Sequence, residues 1–328
     1  MPNKWTYYLF FLVPFIVSIG ALFIGTYKLS PATIIDVLIH RRLSSTEGII
    51  IFEIRMPRIV LSALVGAALS VSGAVLQGIF RNPLVDPYIL GISGGAAFGC
   101  ALCVGFLSKI PIQIMAFVFG TVAVALAYLI ARSHGEISRF SLILAGIIIS
   151  SFFQALVCII KFFVDPHKLQ SIVFWLMGSF SLSDWKKVET ASIGIILGIV
   201  PVLLMRWRLN VMSMGDEEAK ALGIDINRDR VLFIIFSTIA IAVATSVSGI
   251  IGWVGLMVPH IIRMIYGPDH RRLIPLSIAG GATFMIIADT ISRSLTSFDI
   301  PVGIITALSG APFFIFLMKR GEEIWSNA

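Results

Sequence analysis

Residues Val231–Ile262 read "VLFIIFSTIAIAVATSVSGIIGWVGLMVPHII", a run of 32 positions without a single Asp, Glu, Lys or Arg. One straight helix of that length would measure about 48 Å, whereas the hydrocarbon core of a bilayer is only about 30 Å thick. The segment "SGIIGWVG", Ser248–Gly255, lies near the middle, and its three glycines weaken a helix there. The run therefore predicts two spans joined by a tight turn at these glycines.

The composition of the whole chain places that run in a membrane protein. Charged residues make up 13% of the sequence and apolar residues 57%, against roughly 25% and 45–50% in soluble domains. The first apolar run, 5–26, is longer than the core of a secretory signal and follows only one charge, Lys4. It predicts a retained first span rather than a cleaved signal.

Nine apolar runs divide the chain, and the long run counts as two spans. The runs are 5–26, 59–80, 88–108, 110–131, 142–164, 188–205, the run that starts at 231, 273–292 and 302–318. The prediction is an all-α polytopic membrane protein of ten transmembrane helices, with residues 1–328 as a single domain. With both termini in the cytoplasm, 14 of the 25 Lys and Arg residues lie inside and 11 outside, which agrees weakly with the positive-inside tendency.

Several function classes lack support in the sequence. The chain has no exposed basic domain for nucleic acid, because its net charge of +7 is spread over loops between apolar runs. Cys100 and Cys103 form a C-x-x-C pair within an apolar run, and no further ligands for a metal lie nearby. No G-x-x-x-x-G-K-[ST] phosphate loop occurs. Any ATP hydrolysis must therefore come from a partner.

The most polar long stretch is "MSMGDEEAKALGIDINRDR", residues 212–230. Acidic residues after Gly215 suit the positive N-terminal end of a short helix, and Gly223 suits its C-terminal stop. The segment "DINRDR" predicts a second turn of helix. Together they form a compact charged structure on one side of the membrane.

Two further features carry chemistry. In "RNPLVDPYILG", Arg81–Gly91, the prolines bias Asn82 and Asp86 away from the α-helical region and predict a stiff turn. Intramembrane acids such as Asp289 often mark ion paths, which would suit an ion-gradient-driven secondary transporter. Asp289 stands four residues before Arg293, however, and that spacing predicts a structural ion pair.

Five stretches carry a family resemblance. They are "RMPRIVLSALVGAALSVSGAVLQGIFRNPLVDPYILGISGGA" (55–96), "GDEEAKALGI" (215–224), "GWVGLMVPHIIR" (252–263), "IADTISR" (287–293) and "PVGIITALSGAPFFIFLMKR" (301–320). They resemble, in order, the FecCD family, the permease subunits of type II ABC importers for iron–siderophore complexes, haem and cobalamin.

The resemblance implies the type II ABC importer permease fold and a set of partners. It implies a multi-pass chain in the cell membrane of a prokaryote, in contact with lipid and paired with a second copy. Two ATPase subunits would hold ATP–Mg, and a substrate-binding protein would deliver the cargo. The chain itself would be neither an enzyme nor the carrier of a cofactor or metal.

The resemblance also implies roles for particular residues. The ATPase-coupling residues would be Gly215, Asp216, Glu217, Glu218, Ala219, Lys220, Leu222 and Gly223. The residues that dock the binding protein would be Arg55, Arg58 and Arg293, and those of the translocation gate Asn82 and Leu84. The stretch "WLMGSFSLSDW", 175–185, resembles a short outer helix over the entrance of the path.

Several alternatives stay open at this stage. The arginines could instead extend to lipid headgroups, and the turn at Asn82 could lack a gating role. The cargo could be a siderophore complex or haem, a corrinoid, or a molybdate-type oxyanion. An ion-gradient carrier is the rival from a different mechanistic class.

Overall fold

The computed structural model describes residues 4–40, 43–133 and 136–325, and the all-α prediction is confirmed. The α-helices are α1 (Lys4–Phe10), α2 (Val13–Phe23), α3 (Pro31–His40), α4 (Thr46–Ile49), α5 (Met56–Phe80), α6 (Ile92–Phe106), α7 (Ile112–Ala131), α8 (Arg139–Phe163), α9 (Pro166–Leu176), α10 (Trp185–Met214), α11 (Asp216–Ala221), α12 (Ile226–Ser248), α13 (Val254–Tyr266), α14 (His270–Ser292) and α15 (Val302–Trp325). A π-helical turn, Ile50–Arg55, leads into α5, and a 3₁₀ turn, Pro87–Leu90, precedes α6. The strands Arg132–Ser133 and Glu136–Ile137 form a small antiparallel hairpin.

The break predicted in the long apolar run is confirmed. Helix α12 ends at Ser248 and α13 begins at Val254. Between them Gly249 has φ +72°, a conformation that glycine adopts without strain. A Cβ at Gly249 would also overlap the carbonyl oxygen of Trp175. The glycine is thus required both by the backbone conformation and by the space available.

Eight stretches of helix are long and apolar enough to cross a membrane in the described part of the chain. They are Thr6–Phe23, Thr46–Phe80, Ile112–Ala131, Arg139–Phe163, Trp185–Met214, Ile226–Ser248, His270–Ser292 and Val302–Lys319. Two of the ten predicted spans correspond to the shorter helices α6 and α13, with 15 and 13 residues. Irregular backbone precedes each of them, and protein covers it at Val85, Leu90 and Ile251. The count of ten spans is therefore not confirmed.

Three short helices were not predicted, because each lies between apolar runs. They are α3, α4 and α9. The outer helix expected over residues 175–185 is wrong in its placement: α9 ends at Leu176, and turns follow. The sequence explains why α9 begins at Pro166. The Asp165 carboxylate caps the helix by accepting hydrogen bonds from the N–H groups of His167 and Lys168.

Helix α5 is almost entirely buried among the other helices, and small residues make this possible. A Cβ on Gly66 would overlap the carbonyl oxygen of Gly281 on α14, and the reverse also holds. Gly73 and Gly255 bring α5 and α13 together in the same way. Because lipid gives helices no hydrophobic reason to associate, such close backbone packing is a main source of their affinity.

The helix directions define two ends of the bundle. Arg58 on α5 contacts Asp289, and we call this the Asp289 end. Arg81, just beyond the other end of α5, contacts Asp216, and we call that the Asp216 end. Helix α1 begins at the Asp216 end, where Tyr266 donates to the carbonyl of Thr6. Helix α15 starts at the Asp289 end and runs toward the Asp216 end; residues 1–3 and 326–328 lie outside the described residues.

The crossing of α5 and α14 gives a testable prediction. Gly66→Val places a branched side chain against the backbone of Gly281, and we expect a loss of about 1–3 kcal/mol from overpacking. The measurement is the midpoint of thermal unfolding in detergent. Gly20→Val on α2 is the control, because no described atom lies within 4 Å of a Cβ at Gly20. Equal midpoints for the two variants would contradict the role of the crossing.

Candidate functional site: the charged ends of the bundle

The short helix predicted after Gly215 exists as α11, Asp216–Ala221. Ala219 is buried and Glu217 and Glu218 are exposed, so one face of the helix packs on the bundle and the other faces outward. Gly223 has φ +78° and ends the segment, which confirms the predicted stop. The remaining coupling candidates, Lys220 and Leu222, lie on the exposed side.

The helical turn predicted in "DINRDR" is present, but it is the start of the long helix α12 and not a separate short helix. The carboxylate of Asp225 accepts from the N–H of Arg228 at 3.1 Å and thereby caps α12. The residues that follow form the first turns of that long helix. An apolar run continues directly behind them, so a helix that starts at Ile226 has no reason to stop.

Asp216 fixes α11 to the rest of the bundle through three arginines. The Arg81 and Arg139 Nη2 atoms donate to Asp216 Oδ1 at 2.8 and 2.7 Å, and Arg230 Nη2 lies 3.4 Å from Oδ2. Partial burial raises the pKa of Asp216, but Arg139, Arg230 and Arg81 outweigh it and hold the pKa below its ordinary value. The carboxylate is therefore ionised at neutral pH. Sequence reasoning missed these pairs, because no local signal connects residues so far apart in the chain.

The turn after α5 holds both gate candidates at the same end. Asn82 Oδ1 accepts from the N–H of Leu84 at 2.9 Å, which makes a compact turn. The Leu84 side chain is 63% exposed. A cavity of about 500 Å³ opens beside Asn82 and is also lined by Gln77, Arg263 and His270.

At the Asp289 end the predicted local pair is part of a larger buried ion network. Arg58 Nε donates to both oxygens of Asp289, at 2.9 and 3.0 Å, and its Nη1 donates to Asp299 Oδ2 at 2.6 Å. Arg293 Nε lies 3.9 Å from Asp289 Oδ2. The predicted pair of Asp289 with Arg293 is therefore present, but Arg58 is the closer partner and the sequence did not predict it.

The other two docking candidates bind the C-terminal end of α2. Arg55 donates to the carbonyl oxygens of Leu22 and Tyr27, and Arg293 Nη2 donates to that of Ala21 at 2.6 Å. The last carbonyls of a helix lack partners within it and attract positive charge. All three arginines are buried in the single chain. Their docking role stays a prediction, and it requires a partner's carboxylates to replace these internal acceptors.

Comparison with known proteins agrees with this architecture. The sequence profile of the FecCD transport family matches residues 11–320. The chain belongs to the FecCD transport family. It is 46% identical over 286 residues to the "Probable iron chelatin transport system permease protein" of Helicobacter pylori, with 87% of each chain covered.

Two further matches extend over nearly the whole chain. The "Molybdate import system permease protein MolB" of Haemophilus influenzae is 40% identical over 322 residues, with 95% of each chain covered. A solved structure of an inward-facing metal-chelate type ABC transporter is 39% identical, with a TM-score of 0.87 over 97% of this chain and 100% of that one. The predicted resemblance is thus confirmed, and these FecCD relatives are transport permeases rather than enzymes.

Three further residues singled out in the sequence pack against neighbouring helices of this FecCD bundle. The His260 ring lies 5.8 Å from the ring of Phe314, measured between centroids. Cys100 and Cys103 are buried between helices. Among the described residues, no group of three or more His, Cys, Asp and Glu side chains could hold a metal ion.

The ion network of this FecCD chain gives a second prediction. Asp289→Asn leaves the buried Arg58 guanidinium without its main charge partner, and such losses cost about 3–5 kcal/mol. We expect a lower midpoint of thermal unfolding in detergent. The control is Asp184→Asn, since Asp184 is 55% exposed, lies 3.7 Å from Lys187, and Asn still caps a helix. An unchanged midpoint for Asp289→Asn would overturn the structural role of the network.

Proposed function

We propose that this chain is the permease subunit of an ATP-binding cassette importer that moves an iron chelate, either a siderophore complex or haem. A corrinoid is the next candidate cargo. One observation carries the proposal: the exposed face of α11 and the turn at Asn82 lie together at one end of the bundle, joined through Arg81 and Asp216. Relatives named for iron chelatin transport and for a metal-chelate type transporter support the cargo class.

The proposed assembly contains two copies of this chain, two ATPase subunits that bind ATP–Mg, and one substrate-binding protein. The likeness to a solved metal-chelate type ABC transporter over nearly all of both chains supports it. Helix α15 also exposes a row of large apolar side chains, among them Leu308, Ile315 and Met318. A second copy and lipid would cover such a surface.

The proposed topology has ten spans in the cell membrane of a prokaryote, with α6 and α13 completed by the buried irregular backbone before each of them. The Asp216 end and both termini face the cytoplasm. The count of 14 Lys and Arg residues inside and 11 outside supports this orientation.

The residue roles follow from this orientation. The exposed face of α11 contacts the ATPase, and Asn82 and Leu84 form the inner gate. The binding protein docks at the Asp289 end, where acids on its lobes compete for Arg55, Arg58 and Arg293. Arginine suits such exchange because its planar fork binds carboxylate at two points.

A secondary transporter driven by an ion gradient is a weaker candidate. Such a carrier needs an intramembrane acid that changes its charge or ligation during the cycle. Asp289 is 1% exposed, and both of its oxygens are bonded to Arg58. An acid held in this way is suited to structure rather than to proton exchange.

A molybdate-type oxyanion is the alternative cargo after these chelates, because MolB matches this chain over 95% of both lengths. Ferric hydroxamate, haemin, cobalamin and molybdate would each be tested as cargo with the matching binding protein. Uptake of molybdate alone would replace the chelate assignment but keep the importer class.

The importer class itself is tested in proteoliposomes. The chain is reconstituted with its copurified ATPase and binding protein, and uptake of labelled cargo is measured with ATP and an ionophore present. We expect uptake to continue, and we expect the same of any Asp289→Asn protein that folds. Uptake that stops when the gradient collapses, although ATP is plentiful, would overturn the ABC-permease assignment.

The coupling role of α11 is tested by charge reversal on its exposed face. In the double variant Glu217→Lys, Glu218→Lys, we expect ATPase binding to weaken about tenfold or more. The new lysines would repel an ATPase surface that complements the acidic face of α11. Asp216 stays intact, so α11 keeps its attachment. Glu53→Lys with Glu189→Lys changes the net charge equally at the Asp289 end and is the control. Normal ATPase binding and uptake in the first variant would remove α11 from the interface.

A further inference from the structure

Arg81 is the one residue between α5 and the turn at Asn82–Leu84, here called the gate turn. Its backbone dihedral angles are unusual. Its φ and ψ are +50° and +39°, the left-handed conformation that commonly ends helices at glycine. A residue with a side chain is disfavoured there. The presence of arginine instead of glycine indicates that its side chain has a use.

The Arg81 side chain forms hydrogen bonds with both α10 and α11. Its Nε and Nη2 donate to the carbonyl oxygen of Met212, at 2.9 and 2.5 Å. Nη2 also donates to Oδ1 of Asp216, the first residue of α11, at 2.8 Å. One guanidinium thus holds both the last turn of α10 and the first turn of α11.

The gate turn is attached rigidly to the backbone of Arg81. The N–H of Asn82 donates to the Gln77 carbonyl at 3.1 Å, and the Asn82 side chain closes the turn by accepting from the N–H of Leu84. Only one peptide bond separates Arg81 from Asn82. A displacement of the Arg81 side chain is therefore applied at the base of a closed turn.

Arg139 provides a comparison within the same cluster. Its Nη2 donates to the same Asp216 oxygen at 2.7 Å, and its side chain is 27% exposed, against 26% for Arg81. Arg139 is the first residue of α8 and has no gate turn beside it. Both arginines donate to the same oxygen of Asp216, and of the two only Arg81 adjoins the turn at Asn82 and Leu84.

We propose that Arg81 is a positioning residue that transmits the movement of α11 to the gate turn at Asn82 and Leu84. This inference rests on the proposed function, since it assumes that an ATPase moves α11. It goes further in naming one contact that joins nucleotide binding to the opening of the gate. Loss of Arg81 leaves Asp216 bonded to Arg139 and Arg230, so the local fold has support without it.

The test measures gate movement without any cargo. Leu84→Cys is introduced together with Cys158→Ser, since Cys158 is exposed while Cys100 and Cys103 are buried. The full complex with its copurified ATPase is labelled by a soluble maleimide, with and without ATP–Mg. Arg81→Gln and Arg139→Gln are then compared in this parent. ATP hydrolysis is measured in parallel to show that each complex assembles.

In the parent, we expect ATP to change the labelling rate at position 84 by at least about fivefold, a typical size for coupling between two sites. Arg81→Gln should remove most of this response while hydrolysis continues, and Arg139→Gln should keep it. Equal responses in the two variants would overturn the specific role of Arg81. A parent that hydrolyses ATP and imports cargo without any change at position 84 would instead overturn the gate assignment, a distinct failure.

Discussion

The close crossing of α5 and α14 at Gly66 and Gly281 is the contact on which the rest of the structure depends. It brings two backbones together where any Cβ would collide, and it surrounds α5 with the other helices. Because α5 begins near Arg58 and ends at Arg81, a single buried rod connects both charged ends of the bundle. Its position fixes where the two ion networks lie.

The two networks differ in their contact with water, and this difference suits different tasks. At the Asp289 end, Arg58, Asp289 and Arg293 are almost fully buried. Removal of one charge from such a group lowers the free energy of unfolding strongly, so the arrangement is rigid. At the Asp216 end the carboxylate side chain is 43% exposed, and solvent weakens each pair. The ion pairs at the Asp216 end can therefore change partners at a small cost in free energy. The physical character of each end thus matches a rigid frame at the Asp289 end and a movable segment at the Asp216 end.

Local patterns in the sequence predicted the features that depend on nearby residues. The apolar runs gave the helices, the glycines of Ser248–Gly255 gave the break, and Gly223 gave the end of α11. The helical turn in "DINRDR" was predicted but its continuation into α12 was not, because Asp225 looked like part of a polar loop although it caps a long apolar helix. Charge spacing correctly indicated Arg293 as a partner of Asp289, although not the closest one.

The closer partner, Arg58, stands 231 residues away, and the arginines around Asp216 come from three separate parts of the chain. Such pairs depend on how the helices pack, and one sequence contains no local trace of that packing. The short lengths of α6 and α13 could not be predicted from the sequence for a related reason. Hydropathy reports where a chain is apolar, and it does not distinguish helix from irregular backbone that protein covers.

In the proposed ten-span topology, the short α13 places a demand on the order in which the chain enters the membrane. Its 13 residues cover about 20 Å, and the non-helical stretch before it contains peptide groups that lipid cannot satisfy. Protein satisfies them instead: Ser179 donates to the carbonyl of Ser248 at 2.7 Å, and Tyr88 accepts from the N–H of Ile251 at 3.4 Å. Tyr88 is synthesised 163 residues before Ile251. During translation, Tyr88 and Ser179 have therefore already left the ribosome when the segment before α13 emerges. Its peptide groups can form these hydrogen bonds without first being exposed to lipid.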